Sequence, residues 1–189
     1  MTTKHTDTIY QIKISLIGAK PPIWRTVLVP GNIGLAALHA VIQLTMGWTD
    51  SHLHQFIANQ VFYGTPDDDF DFDLEMEDET QYKLSQLLTK EKESLVYEYD
   101  FGDSWEHKIL LEKILPYDPK IALPVCLKGK RACPPEDCGG IWGYEVLLQT
   151  ISNPKHPDHD EMLEWLGGEF DPEEFDLEEI NEDLEEYCR

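Results

Sequence analysis

The residues able to do chemistry in this 189-residue chain fall into three short runs. The densest is Tyr97-Glu98-Tyr99-Asp100-Phe101-Gly102-Asp103-Ser104-Trp105-Glu106-His107, which holds four aromatics, four carboxylates and a histidine. Alternation on either side of Gly102 and Asp103 reads as two strands joined by a tight turn. With a two-residue turn there, Asp100 faces Trp105 and Glu98 faces His107 across the ladder. Glu98, Asp100, Trp105 and His107 then share one face, leaving Tyr97, Tyr99 and Phe101 on the other as core. A carboxylate opposite a histidine raises its pKa and fixes its tautomer, as an acid/base pair needs. The same pair also serves as a plain cross-strand ion pair on a stable hairpin.

The second run places His52 and His54 between Trp48-Thr49-Asp50 and Phe56. Two histidines at i, i+2 on a strand point to one face and can chelate a metal. Leu53 and Phe56 mark a buried face nearby, which ordinary hydrogen-bonded histidines also fit. The third run carries Cys126, Cys133 and Cys138. Its C-x6-C-x4-C spacing lacks the close C-x2-C knuckle of zinc ribbons, so a structural metal there needs a further ligand, such as a histidine from the other runs. Buried thiols in a rigid loop are the other reading. Pro134-Pro135 and Gly139-Gly140 constrain the backbone so that Glu136 and Asp137 are presented, as in a binding loop. The binding candidates are therefore Asp100, Asp103, Trp105, His107, Glu136 and Asp137. The candidate donors for zinc or another divalent metal are His52, His54, His107, Cys126, Cys133 and Cys138. There is no phosphate-binding glycine loop, nucleophile elbow, H-E-x-x-H or C-x-x-C, and no serine or cysteine nucleophile has an assignable partner.

The elements that must position these residues are legible in outline. Residues 9–17 alternate as a half-buried strand, and residues 23–29 form a second, antiparallel to it across Gly18 to Pro22. Residues 35–46 have helical spacing at Leu38, Val41, Ile42 and Thr45, with Asn32 or Gly34 to cap the start and Gly47 to end it. Residues 52–57 and 61–63 read as strands around Asn59-Gln60, residues 82–88 as a short helix, and residues 95–114 as the central hairpin. Phe70, Phe72, Leu74 and Met76 alternate with acids, either as an edge strand or as an acidic loop; a calcium loop starting at Asp67 fails because Phe72 stands where glycine is needed. Residues 116–140 read as irregular. Helices over 144–152 and 158–166 follow, and a third begins after Asp171-Pro172-Glu173-Glu174, with a stripe of Leu177, Ile180, Leu184 and Tyr187. Strands first and helices last predict an α+β domain: an antiparallel sheet built from hairpins, one helix packed after the first hairpin, and a helical C-terminal segment. The chain is expected to be one domain over 1–189. Residues 9–115 are mainly sheet plus helix, 116–143 a Cys/Pro/Gly loop, and 144–189 an acidic helical part.

A net charge of -22 narrows the partners. Of the 37 acids, 24 lie in residues 67–79 and 158–189 with a single arginine, leaving 13 acids against 14 bases elsewhere. Two acidic segments on a near-neutral body repel phosphate backbones, which disfavours nucleic acid and favours protein or peptide partners with basic surfaces. A local basic surface at Lys120, Lys128, Lys130 and Arg131 keeps nucleic-acid binding as a third reading. No apolar stretch approaches the ~18 residues of a membrane span, and residues 1–7 do not resemble a signal peptide. A cytoplasmic protein without disulfides is expected.

The run over 97–107, the run Cys133-Pro134-Pro135-Glu136-Asp137-Cys138-Gly139-Gly140 with Gly143-Tyr144, and the set Leu38-His39, Gly47-Trp48 and His52-Leu53-His54-Gln55-Phe56 together resemble the plasmid pRiA4b ORF-3-like family. The resemblance extends from about Ile9 to about Leu184. It implies an α+β domain, and an association with plasmids and mobile elements, since some members are labelled as insertion-element passengers or resolvases. It supplies no catalytic residues to carry over. The residues themselves show no serine-recombinase site and no basic tail. Two functional classes stand beside nucleic-acid binding: a non-enzymatic binding or accessory module, and a metal-dependent, hydrolase-like enzyme with ligands among His52, His54, His107, Asp100, Asp103, Glu136 and Asp137.

Overall fold

A computed structural model describes residues 8–65 and 76–188. Its centre is an eight-stranded sheet in the order β5-β4-β3-β6-β7-β1-β2-β8. Strand β1 (Thr8–Leu16) lies between β2 (Trp24–Pro30) and β7 (Trp105–Pro116), antiparallel to both. Its alternation buries Tyr10, Ile12, Ile14 and Leu16, as the period of a pleated strand requires. Ile9 is fully buried as well. Strands β3 (His54–Ala58) and β4 (Val61–Gly64) form a hairpin through Asn59 and Gln60, whose φ of 52° and 66° match a primed turn. Among the described strands every pairing is antiparallel except that of β4 with β5 (Met76–Asp78), which is parallel. The acidic alternation expected over 70–76 lies almost wholly outside the described residues; only its end enters, as β5.

Helix α1 (Leu35–Met46) follows the first hairpin and packs Leu35, Leu38, Val41, Ile42 and Met46 into the core. Gly34 is its N-cap, and Gly47, at φ 89°, ends it with an N–H donated to Gln43 O. A short 3-10 turn (Glu79–Gln81) leads into α2 (Leu84–Leu87), and β6 (Ser94–Tyr99) enters the sheet between β3 and β7. Phe56, Tyr97, Tyr99 and Trp105 are fully buried in this stretch of core, each contributing roughly 1.5–3 kcal/mol by removal from water.

Three expectations are corrected. First, residues 116–140 are not irregular throughout: β8 (Val125–Lys130) pairs with β2 at the sheet edge. Its Gly129 and Lys-rich composition gave no alternation, yet a glycine is needed there. A Cβ at Gly129 would come within 2.4 Å of the Phe175 ring and 2.7 Å of Arg25. Second, the last helix, α5 (Leu177–Tyr187), starts later than Asp171-Pro172 suggested. Asp176 caps it by accepting from the N–H groups of Glu178 and Glu179, while Asp171 closes only a turn onto Glu173. Asn181 of α5 then acts as a surrogate strand. It donates to Cys126 O at 3.0 Å and accepts from Cys126 N–H at 2.8 Å, covering the edge of β8. Third, the connection of the central hairpin runs from Asp100 to Ser104, an odd-numbered loop rather than a two-residue turn. Helices α3 (Gly140–Ile151) and α4 (His159–Trp165) pack on each other ahead of α5. No helix among the described residues is long and apolar enough to cross a membrane.

Candidate functional site

The odd-numbered loop decides which side chains meet. Asp100, at φ 57°, accepts the Gly102 N–H on its own Oδ1 and the Ser104 N–H on its carbonyl, and Ser104 takes φ 50°. The register that follows pairs Tyr99 with Trp105, Glu98 with Glu106 and Tyr97 with His107. A shift of one residue turns each side chain to the opposite face. The predicted pairings of Glu98 with His107 and of Asp100 with Trp105 therefore do not form. His107 and Trp105 join Tyr97 and Tyr99 in the core, Glu98 bonds Gln55 instead, and Phe101 is exposed rather than core. His107 is wholly buried and neither ring nitrogen has a hydrogen-bond partner among the described residues; burial pulls its pKa down to about 4, so it is neutral.

The three sequence runs converge. Trp48 donates its indole N–H to Pro134 O at 3.0 Å and packs on Tyr99, Trp105 and His107. Tyr99 accepts from Ser51 N–H at 2.9 Å and donates to Glu136 Oε1 at 2.5 Å, and Thr49 donates to Glu136 Oε2. Burial, then the Glu136 carboxylate, hold the Tyr99 hydroxyl protonated by raising its pKa. Asp103 Oδ2 accepts Gly139 N–H at 3.0 Å, and Gly140, at φ 66°, lies so close that a Cβ would sit 2.5 Å from Asp103 O. Asp100 is tied back to the second run by its N–H on Leu53 O.

Two groups of three His and Asp side chains bring their donor atoms within 4.8 Å of one another among the described residues. One is His52, Asp100 and Asp137. The other is His39, Asp50 and His54, of which only His54 was expected. In the second group Gln43 donates to Tyr97 OH (2.9 Å), Tyr97 donates to His39 Nδ1 (2.8 Å), and His39 Nε2–H donates to Asp50 (2.8 Å). Burial and then His54 lower the His39 pKa, consistent with that neutral tautomer. His54 Nε2 lies 2.9 Å from the buried Glu79 carboxylate, and the His39 and His54 rings stack at 3.4 Å. His39 carried a sequence signal, a polar ring on the apolar face of α1; Asp50 and Glu79 carried none beyond their charge.

The cysteines go elsewhere. All four are free thiols, and no three-donor group among the described residues includes one. Burial pushes the Cys126 thiol up to about 11 and Cys138 up to about 12, and raises Cys133 as well. The basic residues also disperse. Arg131 is buried, with Nε 2.8 Å from Glu173 and Nη1 on Pro21 O, and Lys128 lies over Trp24.

Beside Asp137, a groove of about 620 Å³ runs between α3 and α4. Val146, Leu147, Met162 and Trp165 supply its apolar lining, and Asp137, Asp158 and Glu161 its charged groups. Val146 is 58% and Trp165 50% exposed, and Trp142, one turn before Val146, is 81% exposed.

Comparison with known proteins agrees with this architecture. The family described as Plasmid pRiA4b ORF-3-like protein matches residues 8–179. The uncharacterized protein y4hQ of Sinorhizobium fredii (strain NBRC 101917 / NGR234) is 35% identical over 180 residues, covering 95% of this chain and 92% of that protein. The crystal structure of MM3350, a protein of unknown function from Methanosarcina mazei Go1, aligns with a TM-score of 0.83 at 38% identity, over 94% of this chain and 98% of that one. The chain belongs to the plasmid pRiA4b ORF-3-like family.

Proposed function

We propose that the protein is a non-enzymatic binding module that receives a basic, amphipathic peptide segment of a partner protein in the α3/α4 groove. The observation that carries this reading is the lining of that groove: apolar side chains, of which Val146 and Trp165 are half exposed, with three carboxylates and no lysine or arginine among the described residues. Exposed apolar area of this kind marks interaction surfaces, and the carboxylates select cationic partners and speed their encounter. The chain's net charge of -22 acts in the same direction. The family's description names a plasmid reading frame, which supports an accessory role for mobile elements. Burial of Arg131 and the spread of the lysines weigh against a nucleic-acid surface.

The test is fluorescence anisotropy of a labelled helical peptide with alternating leucine and lysine faces, in chelator, across a salt series. Binding that weakens with salt and falls at least tenfold in an Asp158→Lys, Glu161→Lys double variant is expected. Equal binding by wild type and variant, or no binding at low salt, removes the reading. The alternative, a metal-dependent hydrolase-like enzyme, is supported by the histidine–carboxylate cluster at His52. It further requires open coordination positions and a substrate.

A further inference from the structure

We infer that His52, Asp100 and Asp137 form a binding site for a divalent transition-metal cation, at the edge of the α3/α4 groove. The inference stands independently of the peptide-binding reading. The donor atoms of the three side chains all lie within 4.8 Å of one another. His52 Nε2 is 3.2 Å from Asp137 Oδ1 and 3.8 Å from Asp100 Oδ2. That nitrogen is buried and makes no hydrogen bond among the described residues: Asp100 Oδ2 is out of hydrogen-bond reach, and Asp137 Oδ1 is near enough but lies off the N–H direction. A hydrogen bond would draw the atoms to ~2.8 Å. Donors held about 2.1 Å from one cation instead sit ~3.0 Å apart at right angles and ~3.4 Å apart at tetrahedral angles. Asp137 Oδ1 at 3.2 Å falls within that range and Asp100 Oδ2 at 3.8 Å lies a few tenths of an ångström outside it, around a nitrogen that makes no hydrogen bond.

The three ligands are held from outside. Asp100 is 8% exposed; Gly102 N–H engages its Oδ1, and Oδ2 is the oxygen that faces His52. The His52 ring rests edge-on against Tyr99, whose hydroxyl is fixed by Ser51 and Glu136. Such supporting contacts orient metal ligands. Among the described residues neither carboxylate has a lysine or arginine ion-pair partner, so two adjacent negative charges lack a compensating cation. One imidazole and two carboxylates suit zinc, manganese or iron(II) better than calcium or magnesium. Asp137 is 69% exposed and also lines the groove, so the remaining coordination positions open towards it.

The second donor group does not compete. His39 Nε2 and His54 Nε2 are each bonded to a carboxylate, at 2.8 Å and 2.9 Å. Their rings are parallel within 5°, so their lone pairs cannot converge on one ion.

The experiment is calorimetric titration of chelator-stripped full chain with zinc chloride and, separately, manganese chloride. Melting temperature is read in parallel, with no peptide present. One ion per chain and a rise in melting temperature on addition of metal are expected. Asp137→Asn changes an exposed side chain, so its fold survives; it and His52→Gln should each weaken binding tenfold or more. His54→Gln should bind as wild type does. No saturable binding of either metal by the wild type overturns the site. Unchanged affinity in both Asp137→Asn and His52→Gln overturns it as well, as does loss only in His54→Gln. Because the peptide assay runs in chelator, failure of one proposal leaves the other standing.

Discussion

Tyr99 and Glu136 share a 2.5 Å hydrogen bond that joins the end of β6 to the loop ahead of α3. The phenol donates to the carboxylate and accepts from Ser51 N–H, so one hydroxyl links all three chemistry-bearing runs. Hydrogen bonds to a charged partner contribute about 1.5–3 kcal/mol. Tyr99→Phe also removes the acceptor of the Ser51 N–H. Urea unfolding of Tyr99→Phe should show a loss of that order, and Glu136→Gln, which keeps an acceptor, a smaller one. Equal stability of Tyr99→Phe and wild type would show that the runs are held together by packing alone.

His107 supplies a pH signature. Its folded pKa is about 4, against about 6.5 in an unfolded chain. The unfolded state therefore binds the proton first. The stability associated with neutral His107 is fully present above pH 6.5 and is lost as pH falls towards 4, by roughly 3 kcal/mol at most. His39, also lowered, adds in the same direction. His107→Phe keeps a ring against Trp48 and Tyr97 and removes this titration. Melting temperatures measured from pH 7.5 to 4.5 should fall less steeply for His107→Phe than for wild type.

Gly140 tests the approach of the hairpin loop to α3. Its left-handed φ of 66° costs a residue with a Cβ about 1–2 kcal/mol, and the new carbon would sit 2.5 Å from Asp103 O. Gly140→Ala should lower the melting temperature by several degrees. Gly167→Ala, also at positive φ but with nothing within 4 Å of the new carbon, should cost less.

Asn181 closes the β8 edge through two hydrogen bonds to the Cys126 backbone. Asn181→Leu leaves that N–H and carbonyl unpaired, at about 1–3 kcal/mol for each buried group. Hydrogen exchange should show faster exchange at the Cys126 amide in the variant, with the amides of β1 unchanged.

Local patterns carried much of this outcome. The β1 alternation, the α1 stripe between Gly34 and Gly47, and the Asn59-Gln60 hairpin were each visible because neighbours in sequence set them. β8 was hidden because its pairing with β2 and its need for Gly129 arise from Arg25 and Phe175, far away in the chain. His107 looked like a partner for Glu98 because a two-residue turn was the simplest reading of Gly102-Asp103. The Asp100 side chain caps a longer loop instead, and one residue of register moved the histidine into the core.

The sequence by itself determined the α+β class, the family, and the residue types available for a site. Those follow from periodicity, turn chemistry and three specific runs. Only the tertiary structure decided that His52 meets Asp100 and Asp137 while His54 meets His39 and Glu79. Alternate positions on a strand share a face, but His52 precedes β3 and His54 begins it, so the two rings diverge. Which carboxylate reaches each ring depends on hydrogen bonds between separate segments, such as Asp100 N–H on Leu53 O and Gly139 N–H on the Asp103 carboxylate. No local pattern encodes those contacts, because they exist only once the sheet has closed.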